Sequence, residues 1–373
     1  MTTRPALAAL HALFEGAGHR FVEPAVLQPV ELFVDLAGED LRRRLFVTTA
    51  ADGADLCLRP DYTIPVCRLH LAVADVRPAR YAYLGPVFRQ RSAGPGEFLQ
   101  AGAEWLGHED VGAADADTLA LAFEAARTLG LAAPAVRIGD EALFSALLDA
   151  LALPPAWRRR LSGLFGDTPR LAAALDRLDG TAPPKAAGEA SAAASALADA
   201  DPETARALVE DMLAIAGLSP VGGRGAAEIA DRLIEQATLA SGARIAPEAA
   251  RVLRDYLALE ARGAAAADAL QAFAGIAGID LAGPIEAFAH RLSLAAARGV
   301  DAATLAFSAA FGRRLDYYTG FMFEMHDPAR PGEAVVVGGG RYDRLLTLLG
   351  AGAPVPAVGF SVWLDRLGYG RTP

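Results

Sequence analysis

Glu97-Phe98-Leu99-Gln100-Ala101-Gly102-Ala103-Glu104-Trp105-Leu106-Gly107 has the alternation of an extended strand. Successive side chains of a strand point to opposite faces, so Gln100, Gly102 and Glu104 share one face, and Leu99, Ala101, Ala103 and Trp105 share the other. The second set is apolar and belongs against a core. The first places an amide and a carboxylate on either side of a glycine: a floor with acceptors at each end and room between, suited to a small ligand bearing an ammonium or imidazole group. Read alone, the same face also suits a solvated strand surface. The preceding run, Tyr81 to Gln90, reads as the partner strand across the Gly94-Pro95-Gly96 turn. It closes on Pro86-Val87-Phe88-Arg89-Gln90-Arg91, where Arg89 and Arg91 share a face and a guanidinium can fork onto a carboxylate or phosphate. By themselves they equally suit two surface arginines.

Outward from this hairpin, Thr3-Arg4-Pro5 with Leu7, Leu10 and Phe14 predicts a capped amphipathic helix. Phe21-Val22 and Leu45 to Thr48 read as strands, and Asp52-Gly53 turns the chain into Leu56 to Leu58. Asp115 or Asp117 is expected to cap a helix carrying Leu119, Phe123, Ala126 and Leu129. His108-Glu109-Asp110 with those aspartates suggests capping and a solvated turn rather than a metal, since no His-x3-His or cysteine set accompanies them. From about Leu161 to Ala265 no strand alternation occurs, and Thr181 to Pro202 is low in complexity. Strand patterns return at Phe321 to His326, Ala334 to Val337 and Val355 to Phe360, with a short helix expected from Ser361. The fold class is therefore α+β: a largely antiparallel sheet flanked by helices, built from residues 1–160 and 266–373, with a helical insertion over 161–265.

At 373 residues the chain exceeds one ordinary core, and its 53% apolar content is ample for burial. The formal charge of −10 argues against broad adhesion to nucleic acid, which needs clustered Lys and Arg. The two cysteines, Cys57 and Cys67, read as reduced thiols. No stretch is long and apolar enough for a membrane helix, so a cytoplasmic protein is expected. No metal or cofactor is expected. Gly338-Gly339-Gly340-Arg341-Tyr342-Asp343 lacks the Gly-Lys-Ser/Thr of a phosphate loop, but its backbone allows a ligand to approach closely.

Taken in order, these segments resemble the class II aminoacyl-tRNA synthetase core, and within it the histidyl branch. Phe88-Arg89 through Gly107 is similar to motif 2, and Pro356-Ala357-Val358-Gly359-Phe360 through Arg366 is similar to motif 3. Arg313-Arg314-Leu315-Asp316-Tyr317-Tyr318 and Gly339-Gly340-Arg341-Tyr342-Asp343 resemble the two signatures of histidyl enzymes. The resemblance covers roughly residues 1 to 135 and 300 to 373. It implies that Thr63, Gln100, Glu104, Tyr318 and Tyr342 hold histidine, with Arg89 and Arg313 on its carboxylate. Asp61, Leu315 and Tyr317 complete the implied pocket. The family usually has glutamate where this chain has Asp61, so a contact there can pass through water.

The resemblance departs from a working synthetase at the nucleotide. Arg91 stands where an acceptor for the adenine amino group is required. The loop Ser92 to Glu97 has no Lys or Arg, and Trp363 stands where a glycine underlies the adenosine, although Arg366 is retained. An anticodon-binding domain is not expected in the seven residues after Arg366. The chain is thus most similar to the histidyl-tRNA synthetase-like regulatory subunits of ATP phosphoribosyltransferase. That likeness implies a non-catalytic subunit required for the first step of histidine biosynthesis. Its implied partner is the short-form catalytic subunit and its effector L-histidine, in a homodimer within a hetero-oligomer, without tRNA or membrane. A truncated histidyl-tRNA synthetase, a synthetase-like amino acid ligase and a scaffold with a vestigial pocket are the alternatives.

Overall fold

A computed structural model describes residues 3–36, 41–73, 78–92, 94–178, 245–313, 317–330 and 335–369, with the single residues 207, 211 and 332. The N-terminal elements are α1 (Thr3–Gly16), β1 (Arg20–Phe21), β2 (Leu27–Pro29), α2 (Glu31–Leu36), β3 (Val47–Thr49) and β4 (Asp55–Leu58). Next come α3 (Thr63–Leu71), β5 (Ala79–Phe88), β6 (Glu97–Leu106), α4 (Val111–Thr128), β7 (Ala135–Asp140) and α5 (Glu141–Ala150). Helices α6 (Pro155–Ser162), α7 (Thr168–Leu178) and α8 (Pro247–Leu257) follow. The chain then forms β8 (Glu260–Arg262), α9 (Ala265–Ala277), α10 (Ala282–Ala297) and β9 (Leu305–Ser308). It ends with β10 (Phe321–His326), β11 (Val337–Arg341), α11 (Leu345–Leu348) and β12 (Ala357–Trp363).

The chain divides into two compact units, Met1–Ala146 with Leu257–Pro373, and Leu147–Tyr256. In the second, α7 buries Leu171, Ala174 and Leu175, α8 buries Ala250, Val252, Leu253 and Tyr256, and Arg254 bonds Asp176 at 2.9 Å. Most of the expected insertion over 161–265 lies outside the described residues.

The first unit is built on a nine-stranded sheet in the order β1-β5-β6-β12-β11-β10-β7-β9-β8, beside a three-stranded sheet β2-β4-β3. Pairing is antiparallel except at β1–β5 and β7–β9. Both parallel pairs join strands far apart in sequence, which leaves chain enough for the crossover that parallel pairing requires. The alternation of β6 is realised as read: Ala101, Ala103 and Trp105 are buried on the face covered by α1 and α4. Phe14 of α1 meets Phe360 of β12 edge-on at 5.9 Å, and Trp105 packs with Ala114 and Val358.

Several expectations shift. Of the strand expected over Ala334 to Val337, Ala334 lies outside the described residues, and the strand runs instead through the glycines, Val337–Arg341, because this position needs close backbone approach more than strand propensity. The helix expected from Ser361 is strand until Trp363, followed by a 3-10 turn over Leu364–Leu367. Strands β7, β8 and β9 carry short, weakly patterned runs that gave no readable signal.

The cap of α4 is Asp110, whose Oδ1 accepts the Ala113 amide at 2.9 Å; neither Asp115 nor Asp117 serves. Asp115 has a different task. Fully buried, it accepts Arg291 Nε at 2.7 Å and Arg341 Nη2 at 2.6 Å. Arg291 also bonds Asp140 at 2.7 Å, and Arg341 bonds Asp343 at 2.7 Å. This network ties α4 and α10 to β7 and β11. Removing one member strands the others as desolvated charges, so Asp115→Ala is expected to cost about 3–5 kcal/mol. Asp110→Ala, which removes only a cap, should cost about 1 kcal/mol. Urea unfolding midpoints of the two variants check the ranking.

Candidate functional site

Residues paired across neighbouring strands share a face, so the register defines what stands beside Gln100 and Glu104. Gly85 and Trp363 flank Gln100, Tyr83 and Ser361 flank Gly102, and Gly359 flanks Glu104. Gly338 lies opposite Ser361, and Gly340 opposite Gly359. This face is therefore rich in glycine across four adjacent strands, β5, β6, β12 and β11. A Cβ at Gly85 would run into the Tyr62 hydroxyl, at Gly359 into the Glu104 carboxylate and at Gly338 into the Arg313 guanidinium. One at Gly340 would come within 2.8 Å of the Tyr318 ring. The glycines let polar side chains lie flat on the sheet. Gly102 departs from expectation: the room above it is taken by the Tyr83 hydroxyl rather than left open.

At the centre is Glu104, 1% exposed. Thr63 Oγ1, at the start of α3, donates to its Oε1 at 2.9 Å, and the Tyr83 hydroxyl reaches the same oxygen at 3.4 Å. The Tyr342 hydroxyl donates to Oε2. Tyr83 is held in turn by Ser361 Oγ at 2.8 Å and by stacking on Tyr62 at 4.3 Å. Arg59 bonds the Tyr62 hydroxyl at 2.6 Å and covers its ring. Burial raises the Glu104 carboxyl to about 8, although the three hydroxyls pull it down.

Around this carboxyl, buried polar atoms have no partner among the described residues. They include Asp61 Oδ1, Gln100 Oε1, Arg313 Nε and Trp363 Nε1. Asp61 precedes α3 and accepts the amides of Thr63 and Ile64; burial raises its pKa against the opposing charge of Arg89. Arg89 donates from Nε to the Pro60 carbonyl at 2.6 Å. Arg313 sends Nη1 to Glu324 at 3.0 Å, and its guanidinium lies over the rings of Tyr318 and Trp363 at 5.9 and 5.6 Å. Arg366 covers the same indole at 4.7 Å and donates to the Val335 carbonyl. Its pKa is held down to about 10, first by burial and then by Arg91, Arg89 and Arg313, against the pull of Asp365. Arg91 bonds Asp365 at 2.7 Å and lies on the Phe98 ring at 3.5 Å.

The structure thus brings together Asp61, Thr63, Arg89, Gln100, Glu104, Arg313, Tyr318 and Tyr342. Tyr317, 3% exposed, meets Tyr342 edge-on at 5.9 Å, packing behind it. Leu315 lies outside the described residues. Sequence reasoning missed Tyr62, Tyr83, Ser361 and Glu324. For Tyr83 the signal was present, since the period of two in Tyr81-Ala82-Tyr83-Leu84-Gly85 places it with Gly85 on the Gln100 face.

A family model, histidyl-tRNA synthetase, matches residues 2–214 and 204–367. A protein of Mesorhizobium japonicum named ATP phosphoribosyltransferase regulatory subunit is 47% identical, over 98% of either chain. One of the same name from Brucella canis is 44% identical over 98% of this chain and 96% of its own length. This chain belongs to the family of ATP phosphoribosyltransferase regulatory subunits. A structure from Bacillus halodurans, titled an ATP phosphoribosyltransferase regulatory subunit/histidyl-tRNA synthetase, shares the fold. Its TM-score is 0.68 at 20% identity, covering 99% of this chain and 79% of its own. Within this regulatory-subunit family, the α+β class II synthetase-like fold is as expected. No helix among the described residues is long and apolar enough to cross a membrane.

The buried carboxyl sets a pH dependence. In the unfolded chain Glu104 ionises near 4.5, whereas folded it does so near 8. Between those values the folded state binds the additional proton, so stability falls as pH rises through that window. Glu104→Gln cannot ionise and is expected to flatten the decline. Urea midpoints measured at about pH 5 and about pH 8 test this, a wild-type slope unchanged in the variant being the contrary result.

Proposed function

We propose that this chain serves ATP phosphoribosyltransferase as its histidine-sensing, non-catalytic regulatory subunit, acting with a short-form catalytic subunit in the first step of histidine biosynthesis. The observation that carries the histidine part is the set of unpartnered buried atoms around Glu104. Asp61 Oδ1 and Gln100 Oε1 are acceptors, whereas Arg313 Nε and Trp363 Nε1 are donors. An α-amino acid presents the complement, an ammonium and a carboxylate, and a buried polar group gains most when such a partner arrives. Glu104, with Tyr342 and Thr63 on its oxygens, then reads the imidazole N–H.

Thr63, Arg89, Gln100, Glu104, Tyr318 and Tyr342 are assigned to this pocket with Asp61 and Arg313, and Leu315 and Tyr317 to its surroundings. The Trp363 indole and the Arg91–Asp365 pair support a site without adenylating chemistry, since they fill and close the part next to Gln100. The subunit works in the cytoplasm and without tRNA. A homodimer within the hetero-oligomer is supported by Leu27 and Val47 of the small sheet, which are 48% and 59% exposed. Histidine regulates by binding one assembly state more tightly than the other, which is the only way a ligand shifts an equilibrium.

Titrating histidine into the complex with the catalytic subunit tests the reading. Wild type is expected to bind histidine and transmit inhibition. Glu104→Ala, which loses a buried hydrogen-bond partner, should bind roughly 10- to 100-fold more weakly and inhibit correspondingly less. A Glu104→Ala complex that responds to histidine at wild-type concentrations would remove this pocket from regulation.

A further inference from the structure

We propose that Trp363 makes the pocket selective for a free α-carboxylate, so that amino-acid esters and amides are rejected. The inference rests on the histidine pocket and specifies the class of molecule it accepts.

Trp363 is 5% exposed at the end of β12, directly across from Gln100. Its indole N–H has no acceptor among the described residues, and neither does the Nε–H of Arg313. The two groups are neighbours, with the Arg313 guanidinium 5.6 Å from the indole centre. Arg313 Nη1 is already committed to Glu324, so Nε is the face it offers to a ligand. Two adjacent donors, one cationic, match the two oxygens of a carboxylate. The charge matches as well, because Arg366 also lies over this indole while Arg91 is already paired with Asp365.

Esterifying or amidating the carboxylate removes the negative charge that these guanidiniums attract. It also adds atoms on the side where the indole packs beneath Arg366. Both effects act in the same direction. A site built to hydrogen-bond a particular group discriminates strongly against an analogue that leaves its buried donors unpaired.

Calorimetry with the full chain distinguishes the possibilities, using histidine, histidine methyl ester, histidinamide and histidinol as probes. Wild type is expected to bind the ester and amide at least about thirtyfold more weakly than histidine. In Trp363→Ala, checked for folding by circular dichroism, the penalty on the ester should shrink about three- to tenfold, the guanidiniums keeping the rest. Trp363→Phe keeps the ring and loses the N–H; it should weaken histidine about three- to tenfold and leave histidinol, which has no carboxylate, unchanged.

Equal wild-type binding of ester and histidine overturns the inference. So does a Trp363→Ala variant that keeps the full penalty, or a Trp363→Phe variant that weakens histidine and histidinol alike. Wild type that binds no histidine at all overturns the pocket itself, a result distinct from binding without discrimination.

Discussion

A carboxylate with almost no access to water, resting on a glycine-cleared sheet, is the constraint around which this site is organised. Glu104 lies flat only because Gly359 beside it has no side chain. Three hydroxyls then converge on its oxygens from Thr63 before the α3 turn, Tyr83 on β5 and Tyr342 after β11. Each donor arrives from a different part of the chain, so the carboxylate is also the point at which those parts are brought into register. A buried polar group of this kind is expensive unless satisfied, and its satisfaction specifies a single arrangement. The tyrosine stack and Arg59 behind Tyr62 extend that order outward.

Beyond the carboxylate, the site is a study in opposed charge within an acidic protein. The chain carries −10 overall, yet Arg89, Arg91, Arg313 and Arg366 converge at one end of the cleft. Their neighbours divide them by task. Arg91 is neutralised by Asp365, and Arg313 is steadied by Glu324 while keeping one donor open. Trp363 separates this cationic end from Gln100, where acceptors prevail. The unpartnered acceptors of Asp61 and Gln100 and the unpartnered donors of Arg313 and Trp363 thus lie within one buried cluster.

Much of this was legible in the residues themselves. The alternation in Glu97 to Gly107 placed Gln100 and Glu104 on one face and Ala101, Ala103 and Trp105 on the other, because a strand has only two faces. Gly94-Pro95-Gly96 marked the hairpin through turn chemistry. What remained hidden depends on pairing between distant segments. Asp115 looks like a helix cap by local rules, since nothing nearby reveals that Arg291 and Arg341 will reach it from far along the chain. The triple glycine gives no strand signal of its own, and its role emerges only when Arg313 and Tyr318, from the connection between β9 and β10, cover it. Strands β7 and β9 carry little pattern of their own and exist because they pair with each other, with β10 beyond β7 and with β8 beyond β9.

The central strand pair of the site joins β6 to β12, residues near 100 to residues near 360. A ribosome therefore releases the first half of the floor long before the second half exists. Until β12 emerges, the β6 edge has no permanent neighbour on that side, and an open edge invites pairing with the wrong chain. The floor of the site is thus completed late in synthesis, by pairing across a large sequence separation, and such non-local pairing is slow.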